Sequence, residues 1–382
     1  MRSTTRRNIL WVLALVVALG AVGVAFVRED GSDPEVVVAP EGPTVPDDAG
    51  QGCGAAAATD PTDLRVGREV ARCEAGAPEA APLAQPATVR VVLTEPTVAA
   101  APLLVAQATD EFEAENLTVE ILEMAQPEAY AAMARGEVDA VVGTVDAPFL
   151  DAVQDGSGAR LVLGGPLSRA PNDTDVAQAG LWARTDVLPD PDEWKSVEGQ
   201  LLAISGGMGS GALYPVGMVL DQNELTLNAV DIVPTSSAEA ARQLVGAEVS
   251  MAWLPEPDAA RVAGDDAVML LGTLPASEAV EGTVFAPRLL GADRATGLAY
   301  ARAILRTVNT YLADGWSDEA VDALDEDLTG GPAPLFDWEV RADTTTRIQD
   351  ALVVVGGVDY ELPMEDAAVV DRSLYEDVVA GG

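Results

Sequence analysis

The sequence predicts an α/β fold built from two related halves, and three observations carry that prediction. Strand-like and helix-like runs alternate from Thr88 onward. The same order of five elements then recurs roughly 110 residues later, about the size of one α/β lobe. With 48% hydrophobic residues, the chain has the material for buried cores, unlike a disordered acidic tail. The β-α-β-α-β order argues for a mostly parallel sheet with helices on both faces, one sheet per half.

Two segments precede the fold. Arg2, Arg6 and Arg7 lie ahead of an unbroken apolar or small run, Ile9–Val27, which ends at Arg28-Glu29-Asp30. Its 19 residues, at about 1.5 Å rise each, span roughly 28 Å, close to the hydrocarbon thickness of a bilayer. The arginines hold the N-terminus in the cytoplasm. Residues 1–27 are therefore expected to be a transmembrane signal anchor at the cell membrane, single-pass, with the C-terminal domain extracytoplasmic. A cleaved signal peptide is the rival reading; its apolar region is usually shorter and ends at a small-x-small site.

Residues 28–87 are expected to be an extracytoplasmic linker. They are rich in Pro, Ala, Gly, Asp and Glu, and no Phe, Trp or Tyr occurs between Val27 and Glu111. Such a stretch cannot bury enough apolar surface to offset its ordering entropy, and as a coil it reaches roughly 40–45 Å. It holds both cysteines, Cys53 and Cys73. Outside the cell these are expected to form a disulfide that adds about 3 kcal/mol of local constraint.

In the first half, Val89–Leu93, Leu117–Leu122 and Val138–Val142 read as strands, with helices over Ala99–Glu115 and Glu128–Arg135. In the second half, Leu201–Ser205, Asp231–Val233 and Val249–Trp253 read as strands, with helices over Gly211–Asn223 and Ser237–Val245. Local echoes support a duplication. Asn116-Leu117-Thr118 matches Glu224-Leu225-Thr226, Gly136-Glu137-Val138 matches Ala247-Glu248-Val249, and a proline turn follows each third strand at Asp146-Ala147-Pro148 and Glu256-Pro257. Beyond Arg288 the chain reads as mostly helical, the longest stretch being Arg294–Asp314, with Leu298, Ile304, Leu305, Val308 and Leu312 spaced for one buried face.

Composition removes several function classes. The formal charge is 22 − 62 = −40, with no basic patch, so nucleic acid is excluded as a partner. The absence of histidine removes His-dependent triads and the usual zinc sites. Lys195, the only lysine, sits in a polar segment and makes a poor Schiff-base donor. No catalytic residue, cofactor or metal is expected, and the protein is read as a non-enzyme. The acidic, lysine-poor balance fits either a high-salt habitat or codon bias.

Several runs carry a resemblance to a known family: Ala101-Pro-Leu-Leu-Val-Ala106, Met133-Ala-Arg-Gly-Glu-Val-Asp-Ala140, Ser205-Gly-Gly-Met-Gly-Ser-Gly211, Leu254-Pro-Glu-Pro257, and Gly356-Gly-Val358 followed by Val370-Asp371. In their order and spacing the chain, over roughly Val89–Val379, resembles the periplasmic-binding-protein type II superfamily. Within it, the resemblance is to the nitrate/sulfonate/taurine and thiamine-pyrimidine-precursor branch of ABC-importer receptors. The chain departs from the family's usual glycines at Asp110 and Asn116, and it lacks a lipid-acceptor cysteine. The resemblance implies two lobes joined by two crossing strands and closing on a ligand. The crossings are placed near Leu181–Arg184 and Val284–Pro287, giving lobe one as 88–183 with 288–382 and lobe two as 184–287.

Ligands of open parallel sheets gather at the carboxyl ends of strands. After the first strand, Glu95 and Thr97 are candidates, Thr97 also as a helix cap. Gln126 follows the second strand; Thr144 and Asp146 follow the third, with Asp146 also able to cap. The loop Ser205–Gly211 offers converging N–H groups at a helix start, suited to an anion; Ser205, Gly206, Gly207, Ser210 and Tyr214 are its candidates. Trp253 can stack on a ligand or join the core, and Glu256 selects an N–H donor. Arg169 is the natural counter-ion for an acidic ligand or else a surface ion pair. The glycine loop and Arg169 point to an anion, while Glu95, Asp146 and Glu256 point to an amine or heterocycle.

The implied function is that of an extracytoplasmic, monomeric solute-binding protein of an ABC importer. It would capture a sulfonate/taurine-like or thiamine-pyrimidine-like solute and pass it to permease subunits. A membrane-anchored ligand-sensing ectodomain is the alternative, and a thiamine-pyrimidine-synthase-like enzyme is a weaker one because the chain has no histidine.

Overall fold

Strands form where the sequence places short apolar runs, and their burial shows which are central. The first half supplies β1 (Ala87–Leu93), β2 (Leu117–Glu123), β3 (Ala140–Thr144), β4 (Arg160–Gly164) and the short β5 (Pro166–Leu167). The second half supplies β6 (Gly180–Arg184), β7 (Leu201–Ser205), β8 (Asp231–Thr235), β9 (Met251–Leu254) and β10 (Val268–Gly272). The chain then returns through β11 (Glu281–Phe285) and the short β12 (Leu335–Phe336). Val89, Val91 and Val92 of β1 are wholly buried, as a strand covered on both faces requires. In β2, at the edge, buried Leu117 and Val119 alternate with exposed Thr118 and Glu120.

These coordinates are a computed structural model that describes residues 75–95, 97–167, 179–190, 193–274, 278–329, 333–336, 339–341 and 343–380. All belong to one unit, residues 45–382. The expected anchor (1–27), the linker up to residue 74 with Cys53 and Cys73, and Arg169 lie outside the described residues. Among the described residues no helix is long and apolar enough to cross a membrane.

Two five-stranded sheets have matching orders, β2-β1-β3-β11-β4 and β10-β6-β9-β7-β8. In each, three strands run parallel: β1 with β2 and β3, β7 with β8 and β9. In each, the fourth strand is the one arriving from the other half, and it runs antiparallel to the third: β11 to β3, β6 to β9. The duplication read from the sequence reaches down to single residues. Asn116 and Glu224 both adopt left-handed backbone, at φ 60° and 61°, as do Gly136 and Ala247, at φ 74° and 60°. Asp110, at φ 59°, is left-handed too, a backbone conformation that glycine accommodates most easily.

Three expected boundaries move. Leu181–Arg184 lies within β6, a strand of the second sheet, and Val284-Phe285 lies within β11 of the first, so the crossings come earlier, between β5 and β6 and between β10 and β11. An apolar run looks the same on either side of a crossing; only its hydrogen-bond partner reveals which sheet owns it. Next, the end of the expected linker is docked. Leu83 N–H donates to Glu115 O at 3.0 Å, while Arg302 and Arg306 donate to Ala81 O and Pro78 O at 3.0 and 3.2 Å. These arginines project from the long helix Arg294–Tyr311.

The C-terminal segment is also not confined to lobe one. Helix Thr344–Val355 packs on helix Leu213–Asp221 of lobe two, and Ile348 and Leu352 share a core with Leu213, Val216 and Leu220. Gly357 lies so close to the Met208 carbonyl that a Cβ would stand 2.0 Å from its oxygen. Lobe one keeps its own core around Tyr300, whose ring lies 5.3 Å from Phe112 and 5.4 Å from Phe285.

Candidate functional site

The carboxyl ends of the two parallel strand sets face each other across a cavity of about 380 Å³. Lobe one contributes Thr94, Glu95 and Thr97 after β1, Gln126 after β2, and Thr144 and Asp146 at the end of β3. Lobe two contributes Ser205, Gly206 and Ser210 after β7, and Trp253 and Glu256 at the end of β9. Apolar walls come from Leu167, Ile204, Leu274 and Val280. A second hollow of about 520 Å³ shares Glu95 and Thr97 and extends to Asp258 and Arg261, which form an ion pair with each other.

Sequence reasoning missed Glu281. Because β11 runs antiparallel to β3, its first residue pairs with Thr144, the last residue of β3, and so stands at the carboxyl end of the parallel strands. A rule that searches only after strands passes over a residue that begins one. Had Glu281 been read as the first residue of an antiparallel insertion, the same geometry would have found it.

Neither expected helix cap acts as one. Thr97 precedes a helical turn without capping it; its hydroxyl donates to Glu281 Oε1 at 2.8 Å. Asp146 precedes helix Ala147–Gln154 without capping it; instead Oδ1 accepts from the Gly211 N–H of lobe two at 2.7 Å. A second interlobe bond runs from the Ser205 hydroxyl to Glu95 Oε1. Gln126 Nε2 donates to Thr144 O at 2.6 Å, bracing the end of β3.

The glycine loop does present an N–H at a helix start, and an anion does meet it. That anion is the Asp146 carboxylate. Gly206 takes φ +77° to make the turn. Gly211 has no room for a side chain, since a Cβ would stand 2.2 Å from the Val145 carbonyl oxygen of lobe one.

Three half-buried carboxylates, Glu95, Asp146 and Glu281, therefore stand near one another at the cavity. Burial raises Asp146 to about 7 despite the Gly211 N–H, and Glu95 and Glu281 add repulsion. Burial likewise raises Glu281 to about 7, opposed by the Thr97 hydroxyl and reinforced by Glu95. Glu95 is also raised, first by burial; the Ser205 hydroxyl pulls it back and Asp258 pushes it up. Among the described residues no Arg or Lys lines this cavity. Nor do the described residues include a cluster of three or more His, Cys, Asp or Glu able to hold a metal ion.

Two candidates fall outside the cavity. Gly207 turns toward Pro234, where a Cβ would be 2.8 Å from the ring. The Tyr214 hydroxyl donates to Glu278 at 2.8 Å and accepts from Arg347 at 2.9 Å, so it ties helix Leu213–Asp221 to the return crossing and to helix Thr344–Val355. Its helix begins one turn past the loop, which rotates the ring away from the cleft.

No family model matches the chain, and no curated protein matches it. Solved structures do. The ligand-binding component of an ABC-type import system from Staphylococcus aureus, with zinc bound, matches at TM-score 0.59 and 13% identity, covering 76% of this chain and 98% of that one. The periplasmic aliphatic sulphonate-binding protein of Escherichia coli matches at TM-score 0.54 and 14% identity, over 76% and 100%. The alkanesulfonate-binding protein of Xanthomonas axonopodis pv. citri, bound to MOPS, matches at TM-score 0.51 and 17% identity, over 76% and 100%. With its paired sheets, exchanged fourth strands and interlobe cavity, this chain has the fold of the type II solute-binding proteins of ABC importers.

Proposed function

We propose that the chain is an extracytoplasmic solute-binding protein of an ABC importer. It captures a small organic solute between its lobes without chemical change and presents the closed form to permease subunits. The observation that carries this reading is the cavity itself, walled by strand-end loops from both lobes and bridged by hydrogen bonds from Ser205 to Glu95 and from Gly211 to Asp146. Its volume lies at the lower end of small-molecule sites. We place the protein outside the cytoplasm as a monomer, held by the apolar run Ile9–Val27.

Of the two solute classes the sequence suggests, the cavity favours the thiamine-pyrimidine-like one over the sulfonate/taurine-like one. A sulfonate needs donors or cations, and the loop N–H that would serve it is already occupied by Asp146. The test is thermal shift of the full chain against a metabolite panel of all charge classes, with small-angle scattering on any hit. A hit should raise the melting temperature and reduce the radius of gyration. No stabilisation by any class of solute would defeat the proposal.

A further inference from the structure

We infer that the cleft receives an organic cation bearing N–H donors, a protonated amine, amidine or guanidine, whose charge is the missing partner of Glu95, Asp146 and Glu281. This deepens the solute-binding reading and rests on it. Each of the three carboxylates gives one oxygen to the protein: Glu95 to the Ser205 hydroxyl, Asp146 to the Gly211 N–H and Glu281 to the Thr97 hydroxyl. All three residues line the same cavity, where a solute can reach them. Ionised carboxylates are acceptors only, so a solute that meets them has to bring donors. Removing such charges from water without a counter-charge is costly, and a bound cation reverses the sign of that cost.

Among the described arginines, Arg261 lines the adjoining hollow, where it is paired with Asp258, and the buried Arg341 shares a smaller hollow with Glu281. Trp253 is among the residues lining the cavity, and an indole is the side chain that attracts ammonium and guanidinium groups best. An anionic solute would meet the carboxylates of Glu95, Asp146, Glu256 and Glu281 and no described Arg or Lys.

The charge class can be tested without knowing the natural solute. Ethanolamine, cadaverine, agmatine and 2-phenylethylamine serve as cationic probes; methanesulfonate and ethanesulfonate are the anionic arm, and glucose the neutral one. Each is titrated calorimetrically into the full-length chain in detergent at pH 6 and pH 8. At least one cationic probe should bind, and tighten by about tenfold or more across that interval, because a cation binds the ionised form of groups that titrate near 7. Glu281→Gln should weaken that probe about tenfold and flatten its pH dependence, while leaving the melting temperature of the free protein unchanged or higher. Binding of a sulfonate that tightens as pH falls would overturn the inference and leave solute binding intact, as would binding of glucose alone. Failure of every cationic probe at millimolar concentration would overturn the inference as well; the wider panel above then decides whether solute binding itself survives.

Discussion

Glu115 and Glu281 are both carboxylates withdrawn from water in lobe one, yet the protein treats them in opposite ways. Around Glu115, which is fully buried, Arg302 reaches both carboxylate oxygens at 2.7 to 3.1 Å and Arg306 reaches one at 2.8 Å, while Arg306 also pairs with Glu111. Those arginines also bind the backbone of residues 78 and 81, so the cluster fastens the entering chain to the lobe. Around Glu281 stand a hydroxyl, two further carboxylates and a cavity. The chain builds a complete buried ion pair around Glu115, whereas no described Arg or Lys lines the cavity at Glu281. A structural acid is neutralised by the protein, whereas an acid that waits for a guest is left with a site open.

The contrast can be broken most forcefully at the paired end. Arg302→Met leaves the buried Glu115 with Arg306 as its one remaining arginine and should lower the unfolding free energy by about 3 kcal/mol, read as a drop in the urea midpoint. A smaller loss is expected from Gly211→Ala. Its methyl would collide with the Val145 carbonyl, costing about 1–3 kcal/mol of strain and prying the lobes apart, visible as a larger radius of gyration. At the unpaired end the sign reverses. Asp146→Asn or Glu281→Gln should stabilise the free protein at pH 8 by on the order of 1 kcal/mol, because each removes an uncompensated charge while keeping an acceptor.

The pH dependence of the wild type should show the same sign more gently. Both groups have folded-state values near 7, well above their ordinary 3.8 and 4.5. The folded protein therefore holds protons that the unfolded chain has released. The stability these groups add is complete below about pH 4 and fades as pH rises through about 7. Melting temperatures of the ligand-free protein should trace that decline, and the double variant Asp146→Asn/Glu281→Gln should flatten it. A decline of equal slope in the double variant would assign the effect to other groups.

Much of this site could be read before any coordinates. Glu95, Thr97, Asp146, Ser205, Trp253 and Glu256 were reached by one rule, that ligands meet parallel sheets at the carboxyl ends of strands, and all six line the cavity. The same rule missed Glu281, which begins an antiparallel strand, and admitted Tyr214, whose helix turns it toward Arg347. The echo of Asn116-Leu117-Thr118 in Glu224-Leu225-Thr226 was legible as a match of residues, while the left-handed backbone that Asn116 and Glu224 share came from the structure. The reach of helix Thr344–Val355 onto lobe two left none, since an amphipathic helix does not declare which core it will join.

By itself, the sequence determined the alternation of elements, their repetition and the set of loops at the strand ends, because hydrophobic period and turn chemistry act over a few residues. Only the tertiary structure decided which sheet each crossing strand entered, that Asp146 would answer the glycine loop, and that four acids would line one cavity with no described Arg or Lys in its wall. Those outcomes depend on hydrogen-bond direction and desolvation between segments that lie far apart along the chain.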